Sequence, residues 1–223
     1  MVGLAGRSGD PSPVTAFGVY RGMKACAKFR YGDDSLAGKT VTVQGVGNVG
    51  YHLCELLHEE GAKLLVADID AAKVQRVVDE FKAQAVNEHE LFSAKADIFA
   101  PCALGAVIND KTLKLLKVAI VAGAANNQLA EDRHGDELGE RDIVYAPDFV
   151  INSGGLINVY AEVAGWTLDR SREKAERIYD QIMNVLEIAR DESVPTYHAA
   201  NRLAERRIAE AKASQAAARS KPR

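Results

Sequence analysis

The segment 39-KTVTVQGVGNVGYHLCELLHEEGAKLLVADID-70 decides the fold. Thr40 to Gln44 are rich in β-branched residues and read as a strand. Glycines at 45, 47 and 50 come next, then a helical pattern closed by Gly61, then a second apolar run that ends on Asp68. Each glycine has its own use. Gly45 allows a tight turn out of the strand, Gly47 lets backbone approach a ligand with no Cβ in the way, and Gly50 lets the helix lie close on the strand. A helix beginning near Asn48 would present free N–H groups and a positive dipole end to an anion.

A glycine triplet alone is a weak signal. Here it follows an expected strand, opens an expected helix, and has Asp68 eighteen residues after Gly50. That context fits the pyrophosphate and ribose of a dinucleotide. A carboxylate at the end of the second strand can accept hydrogen bonds from both ribose hydroxyls and would repel a 2′-phosphate. The next basic residues are Lys73 and Arg76. NAD is therefore expected over NADP. The competing account makes the glycines packing positions and Asp68 a solvated strand end, which leaves the joint spacing unexplained. Asp70 competes for the ribose role but is read as the cap of a helix starting at 71. An S-adenosylmethionine-dependent methyltransferase also has an acid at the end of its second strand and stays open on the residues alone.

The rest of the chain narrows the class. Its 223 residues suffice for one large domain, and 47% apolar residues can build a core. Charged residues, at 26%, nearly cancel to a net −3, which gives no electrostatic reason to expect nucleic acid or a membrane as partner. No run is long enough to span a bilayer. Cys26, Cys54 and Cys102 are odd in number and widely spaced, as free thiols of a reducing cytosol would be. With no secretory leader at the start, a cytoplasmic location is expected. His52, His58, His89, His134 and His198 show no metal-ligand spacing, so no metal is expected; His134 is the best candidate for a structural hydrogen bond.

Ser12 and Pro13 open a helix that Gly32 ends, with the Ser12 hydroxyl as expected cap. After residue 82 three short apolar runs, DIFAP, VAIVAG and DIVYAP, are separated by the expected helical pieces NDKTLKLL and NQLAEDRHGDEL. Strands alternating with helices imply a Rossmann-type, doubly wound α/β fold, mostly parallel, with helices on both faces. From about residue 148 the chain turns helical, with long amphipathic segments over 167–192 and 196–220. The expected organisation is a lead-in at 1–11, a dinucleotide-binding domain at 12–165, and C-terminal helices at 166–223.

The motifs SGDPSPVTAFGVYRGM, VQGVGNVGYHLCELLHEEGAKL, APCALGAVIND, AGAANNQL, EDRHGDEL and YAPDFVINSGGLINV occur in that order. Together they resemble the leucine dehydrogenases, within the wider glutamate, leucine, phenylalanine and valine dehydrogenase superfamily. The resemblance implies reversible NAD-linked deamination of an amino acid to a 2-oxo acid. Family enzymes also carry a domain whose glycine-rich motifs supply catalytic lysines and an aspartate. No lysine here lies in such a context, so the chain is expected to be the NAD-binding domain without catalytic residues of its own. It would bind NAD, act on an amino acid only if the other domain were supplied, and self-associate as a dimer or higher oligomer. A stand-alone NAD-binding or regulatory module is the alternative.

The resemblance also assigns contacts. Asn48 and Val49 of the glycine loop and Ile69 beside Asp68 would line the cofactor. Thr15 would lie near the nicotinamide end, unless its hydroxyl is satisfied within its own helix. Cys102, Ala103 and Leu104 would line the ribose region, with no nucleophilic role for Cys102. Ala124, Asn126 and Asn127 would approach the nicotinamide ribose and carboxamide, although an asparagine there also suits a helix cap. Asn152 would stand near nicotinamide, where Gly154 and Gly155 would let a helix start approach the ligand. Leu156 and Val159 would line an aliphatic substrate pocket or, equally, pack in the core.

Overall fold

In the computed structural model, residues 10–219 are described. Residues 1–9 of the expected lead-in and 220–223 of the basic end lie outside them. The strands are β1 (Thr40–Gln44), β2 (Lys63–Ala67), β3 (Gln84–Ala85), β4 (Ile98–Pro101), β5 (Ile120–Val121) and β6 (Val144–Tyr145). They form one sheet in the order β3-β2-β1-β4-β5-β6, and every pairing is parallel. This is the doubly wound order, with its reversal between β1 and β4. Val41 and Val43 of β1 are fully buried and stand beside Leu64 and Val66 of β2. The strand is buried on both faces: Thr42, between the two valines, is also fully buried and donates its hydroxyl to the Ile98 carbonyl at 3.3 Å.

The helices are α1 (Ser12–Tyr31), α2 (Asn48–Glu59), α3 (Ala71–Phe81), α4 (Glu88–Ser93), α5 (Arg133–Glu140), α6 (Asp148–Ile151), α7 (Gly154–Ala164), α8 (Leu168–Glu176), α9 (Ile178–Glu192) and α10 (Thr196–Arg219). Helix α1 is the hub, packing against α2, α7, α8 and α9. It has small residues where neighbours come closest: a Cβ on Gly18 would stand 2.6 Å from the Ile178 side chain, and one on Gly22 2.5 Å from Ile151. Its C-terminus stops at Gly32, in the left-handed region at φ 79°. Among the described residues no helix is long and apolar enough to cross a membrane.

Local expectations change in four places. The N-cap of α1 is Pro11, not Ser12, and the side-chain acceptor at this end comes from Asp10 just before it. The Asp10 carboxylate accepts the Ser12 N–H at 3.0 Å and the Ser12 hydroxyl at 2.7 Å, because Ser12 already lies inside the helix. The NDKTLKLL piece is a chain of turns rather than a helix; Asn109 and Thr112 satisfy its backbone with their side chains, which favours turns. Residues 127–132 are also irregular, and α5 starts only at Arg133. The amphipathic segment 167–192 is two helices meeting at Arg177, so that α8 and α9 can both reach α1.

Asp70 caps α3 as expected, accepting the Ala72 N–H at 3.0 Å and the Lys73 N–H at 3.4 Å. His134 is buried; its Nδ1 accepts the Glu131 N–H at 3.1 Å, and its Nε2 lies 3.3 Å from Asp110 Oδ1. Asp110, His134 and Glu137 bring potential metal ligands together. The Arg133 guanidinium, 2.7 Å from Asp110 and 3.0 Å from Glu137, already supplies that cluster with positive charge.

Candidate dinucleotide site

The glycine loop is shaped by contacts that leave no choice of residue at two of its three positions. Gly45 has φ +88°, and a Cβ there would lie 2.7 Å from that of Ala103. A Cβ on Gly50 would stand 2.0 Å from the Gly45 carbonyl oxygen, so α2 rests directly on the turn. Gly47 differs: nothing lies within 4 Å of its Cβ position, and the space there is open. No side chain caps α2 and no acid sits in its first turn. Its first N–H groups and dipole therefore face that space, and the acid that lines it, Asp10, is engaged by Ser12.

Asp68 stands across the loop at the end of β2, half-buried. One carboxylate oxygen accepts the Val46 N–H at 2.8 Å and the other accepts the Asp70 N–H at 2.9 Å. Each oxygen keeps a lone pair for a further donor. Beside Asp68 a cleft of about 470 Å³ is lined by Gly45, Ile69, Val86, Leu91, Ala103 and Leu104 among others. Ile69 (105%) and Leu104 (79%) are exposed apolar side chains on its rim. A flat aromatic base fits an apolar slot of this kind.

Sequence reasoning missed the wall made by Val86, Asn87, Glu88 and Leu91. One signal was there: Asn87 and Glu90 form a capping box, legible as N-x-x-E at 87–90.

Cys102 continues the ladder from β4, donating its N–H to the Gln44 carbonyl at 2.7 Å. Burial pushes its thiol up to about 12, which leaves no thiolate at neutral pH. The ends of β5 and β6 meet through Asn152, whose amide donates to Asn126 Oδ1 at 2.7 Å and to the Ala124 carbonyl at 3.3 Å. Asn127 has φ +51°; its N–H donates to Asp148 at 2.6 Å and its carbonyl accepts from Ala106 at 2.6 Å. With α5 beginning at Arg133, neither asparagine is the cap of that helix.

Thr15 donates its hydroxyl to the Pro11 carbonyl at 2.9 Å, satisfying it within α1. At Gly154 a Cβ would lie 2.6 Å from the Val14 carbonyl oxygen, so this glycine lets α7 cross α1. Gly155 touches Thr15 Oγ1 at 3.0 Å from its Cβ position, which brings Thr15 and the start of α7 together. Leu156 is 72% exposed and therefore not a core residue, while Val159 is half-buried. Helix α7 also exposes Tyr160 and Val163, one and two turns from Leu156.

The glutamate/leucine/phenylalanine/valine dehydrogenase family model matches residues 6–72 and 65–216. The chain belongs to this family. It is 58% identical over 210 residues to leucine dehydrogenase of Bacillus cereus, covering 94% of this chain and 57% of that protein. It is 60% identical over 203 residues to leucine dehydrogenase of Bacillus subtilis, covering 91% and 56%. The crystal structure of L-tryptophan dehydrogenase from Nostoc punctiforme superposes with a TM-score of 0.89 at 45% identity, covering 91% of this chain and 61% of that one. The chain thus spans little more than half the length of the curated leucine dehydrogenases it matches. Membership of a family of amino-acid dehydrogenases sets aside the methyltransferase alternative.

Proposed function

We propose that this chain binds NAD and forms the dinucleotide-binding part of a leucine-dehydrogenase-like enzyme, which deaminates a branched-chain amino acid reversibly to its 2-oxo acid. The observation that carries this is the pairing of an open, uncapped turn at Gly47 with the Asp68 carboxylate. The N–H groups of Asn48, Val49 and Gly50 would hold the pyrophosphate, and Asp68 the adenine ribose. Ile69, Ala103 and Leu104 would flank the adenosine, with Cys102 beneath through its backbone. Thr15, Ala124, Asn126, Asn127 and Asn152 would surround the nicotinamide half. When bound, NAD supplies the hydride acceptor. The chain's own groups orient it, since hydroxyls, amides and backbone N–H groups here offer no strong base.

The 223 residues as given would not turn over leucine alone, because no lysine stands in a glycine-rich setting that could clamp a carboxylate or activate water. Residues 12–165 would constitute the binding domain and 166–223 helices packed on it. Leu156 and Val159 would form part of an aliphatic side-chain pocket. The exposed face of α7 supports self-association, since apolar stripes of this kind favour contacts between copies. The test is calorimetric titration of NAD, with NADP as control, into wild type and Asp68→Asn. NAD binding by wild type and its weakening in the variant are expected; no binding by wild type overturns the proposal. An absorbance assay with leucine and NAD checks the second claim, which robust NADH formation would refute. A chain that binds NAD but gains no activity when a substrate domain is added would be a stand-alone NAD-binding module instead.

A further inference from the structure

A second cleft, of about 200 Å³, lies along the glycine loop and shares no lining residue with the apolar slot. Its lining includes Val46, Gly47, Asn48, Lys73, Arg76 and one acid, Asp10, whose Oδ1 accepts from Ser12. Val46 links the two clefts, since its N–H is held by Asp68. The cations of this cleft are not free. Lys73 Nζ lies 3.5 Å from Asp70 Oδ2. Arg76 Nε donates to Glu80 Oε1 at 3.0 Å, and its guanidinium stacks 4.0 Å over the Tyr51 ring. Tyr51 Oη donates to the other oxygen of Glu80. Each cation that could meet a phosphate beside Asp68 is therefore matched by a carboxylate one turn or less away on the same helix.

We infer that Asp70 and Glu80 are specificity determinants for the dinucleotide, withholding Lys73 and Arg76 from a 2′-phosphate and so reinforcing the exclusion that Asp68 begins. The inference rests on the NAD-binding proposal and deepens it. A phosphate on the sugar held by Asp68 meets a site whose local charge, summed over Asp10, Asp68, Asp70, Lys73, Arg76 and Glu80, is −2. Removing the Asp68 charge alone brings it to −1, with both cations still engaged. Removing the other two charges as well leaves Lys73 and Arg76 opposed only by Asp10, a net +1 beside the open turn. The chemical class recognised by the unlocked site is a ribose 2′-phosphomonoester.

Isosteric changes keep the packing. Asp70→Asn retains a good helix cap, and Glu80→Gln can still bond Tyr51 and Arg76 without charge. The experiment compares binding of NAD, NADP and 2′,5′-ADP to four proteins at low salt: wild type, Asp68→Asn, the Asp70→Asn/Glu80→Gln double variant, and the triple variant. Thermal unfolding monitored by circular dichroism confirms that each is folded. The triple variant should bind NADP and 2′,5′-ADP about tenfold more tightly than Asp68→Asn does. Adding Arg76→Gln to the triple variant should erase most of that gain. The double variant should hold NAD within about threefold of wild type, since it frees cations without touching Asp68. If the triple variant is folded and binds NADP no better than Asp68→Asn, the inference fails while NAD binding by wild type stands. If wild type binds no NAD, both fall together.

Discussion

The carbonyl oxygen of Gly45 stands where a Cβ on Gly50 would be, 2.0 Å away. Strand and helix are thus joined backbone to backbone, and the turn between them cannot relax around a side chain. Gly50→Ala should push α2 off the sheet and destabilise the fold by about 2–4 kcal/mol. Gly47→Ala, with open space around it and φ −66°, should cost less than about 1 kcal/mol yet weaken NAD binding. Urea unfolding beside NAD titration separates the two, and equal destabilisation by both substitutions would contradict the assignment of roles.

Asp68 holds the loop as well as facing the cleft. Asp68→Ala would leave the Val46 and Asp70 N–H groups without their acceptor, lowering stability by about 1–2 kcal/mol. Asp68→Asn, which keeps one acceptor oxygen, should lose less stability than the alanine variant. Its affinity for NAD should still fall roughly tenfold to a hundredfold. Comparing the melting temperatures of the two variants with their NAD dissociation constants tests whether the two roles are separable.

The Arg133 guanidinium, with His134 behind it, holds the Asp110 carboxyl down to about 2 from a usual 3.8. A carboxyl depressed by folding stabilises the protein fully above its unfolded value, and that contribution is lost as pH falls through the folded one. The loss should run from about pH 4 to about pH 2. In Asp110→Asn the acid limb of stability against pH should be flatter across that window. An unchanged slope, measured by urea unfolding at stepped pH, would show that the pair contributes nothing.

Burial pushes the Cys26 thiol up to about 12 and raises that of Cys54 further, and Cys102 also stands near 12. At neutral pH the native protein should react slowly with a disulfide reagent, and all three thiols should react at once in denaturant. Rapid labelling of Cys102 in the folded state would show that its half-burial leaves the sulfur within reach. Protection of that residue by NAD would then place the coenzyme over it.

Much of the site was legible because its demands are local. A turn at φ +88° needs glycine whatever surrounds it, and a strand that stops on an acid can be read from six residues. The edge of the sheet was not legible. Strand β3 has two residues and no period, and what fixes it is pairing with Leu65 and Val66 of β2. Nor could periodicity separate α8 from α9, since Arg177 is an ordinary helical residue and the break comes from packing on α1. Gly154 is the instructive case. Its neighbour is Val14, 140 residues earlier, a contact that no window of sequence contains. The exposure of Leu156, by contrast, takes it out of the core, one of the two roles that the residue type had left equal.

The grip of Asp68 on Val46 has a last consequence. The seat proposed for the coenzyme is already moulded before any guest arrives, so its ordering entropy is met during folding. Association should then proceed in a single fast phase, and differences among nucleotides should show in how quickly they leave.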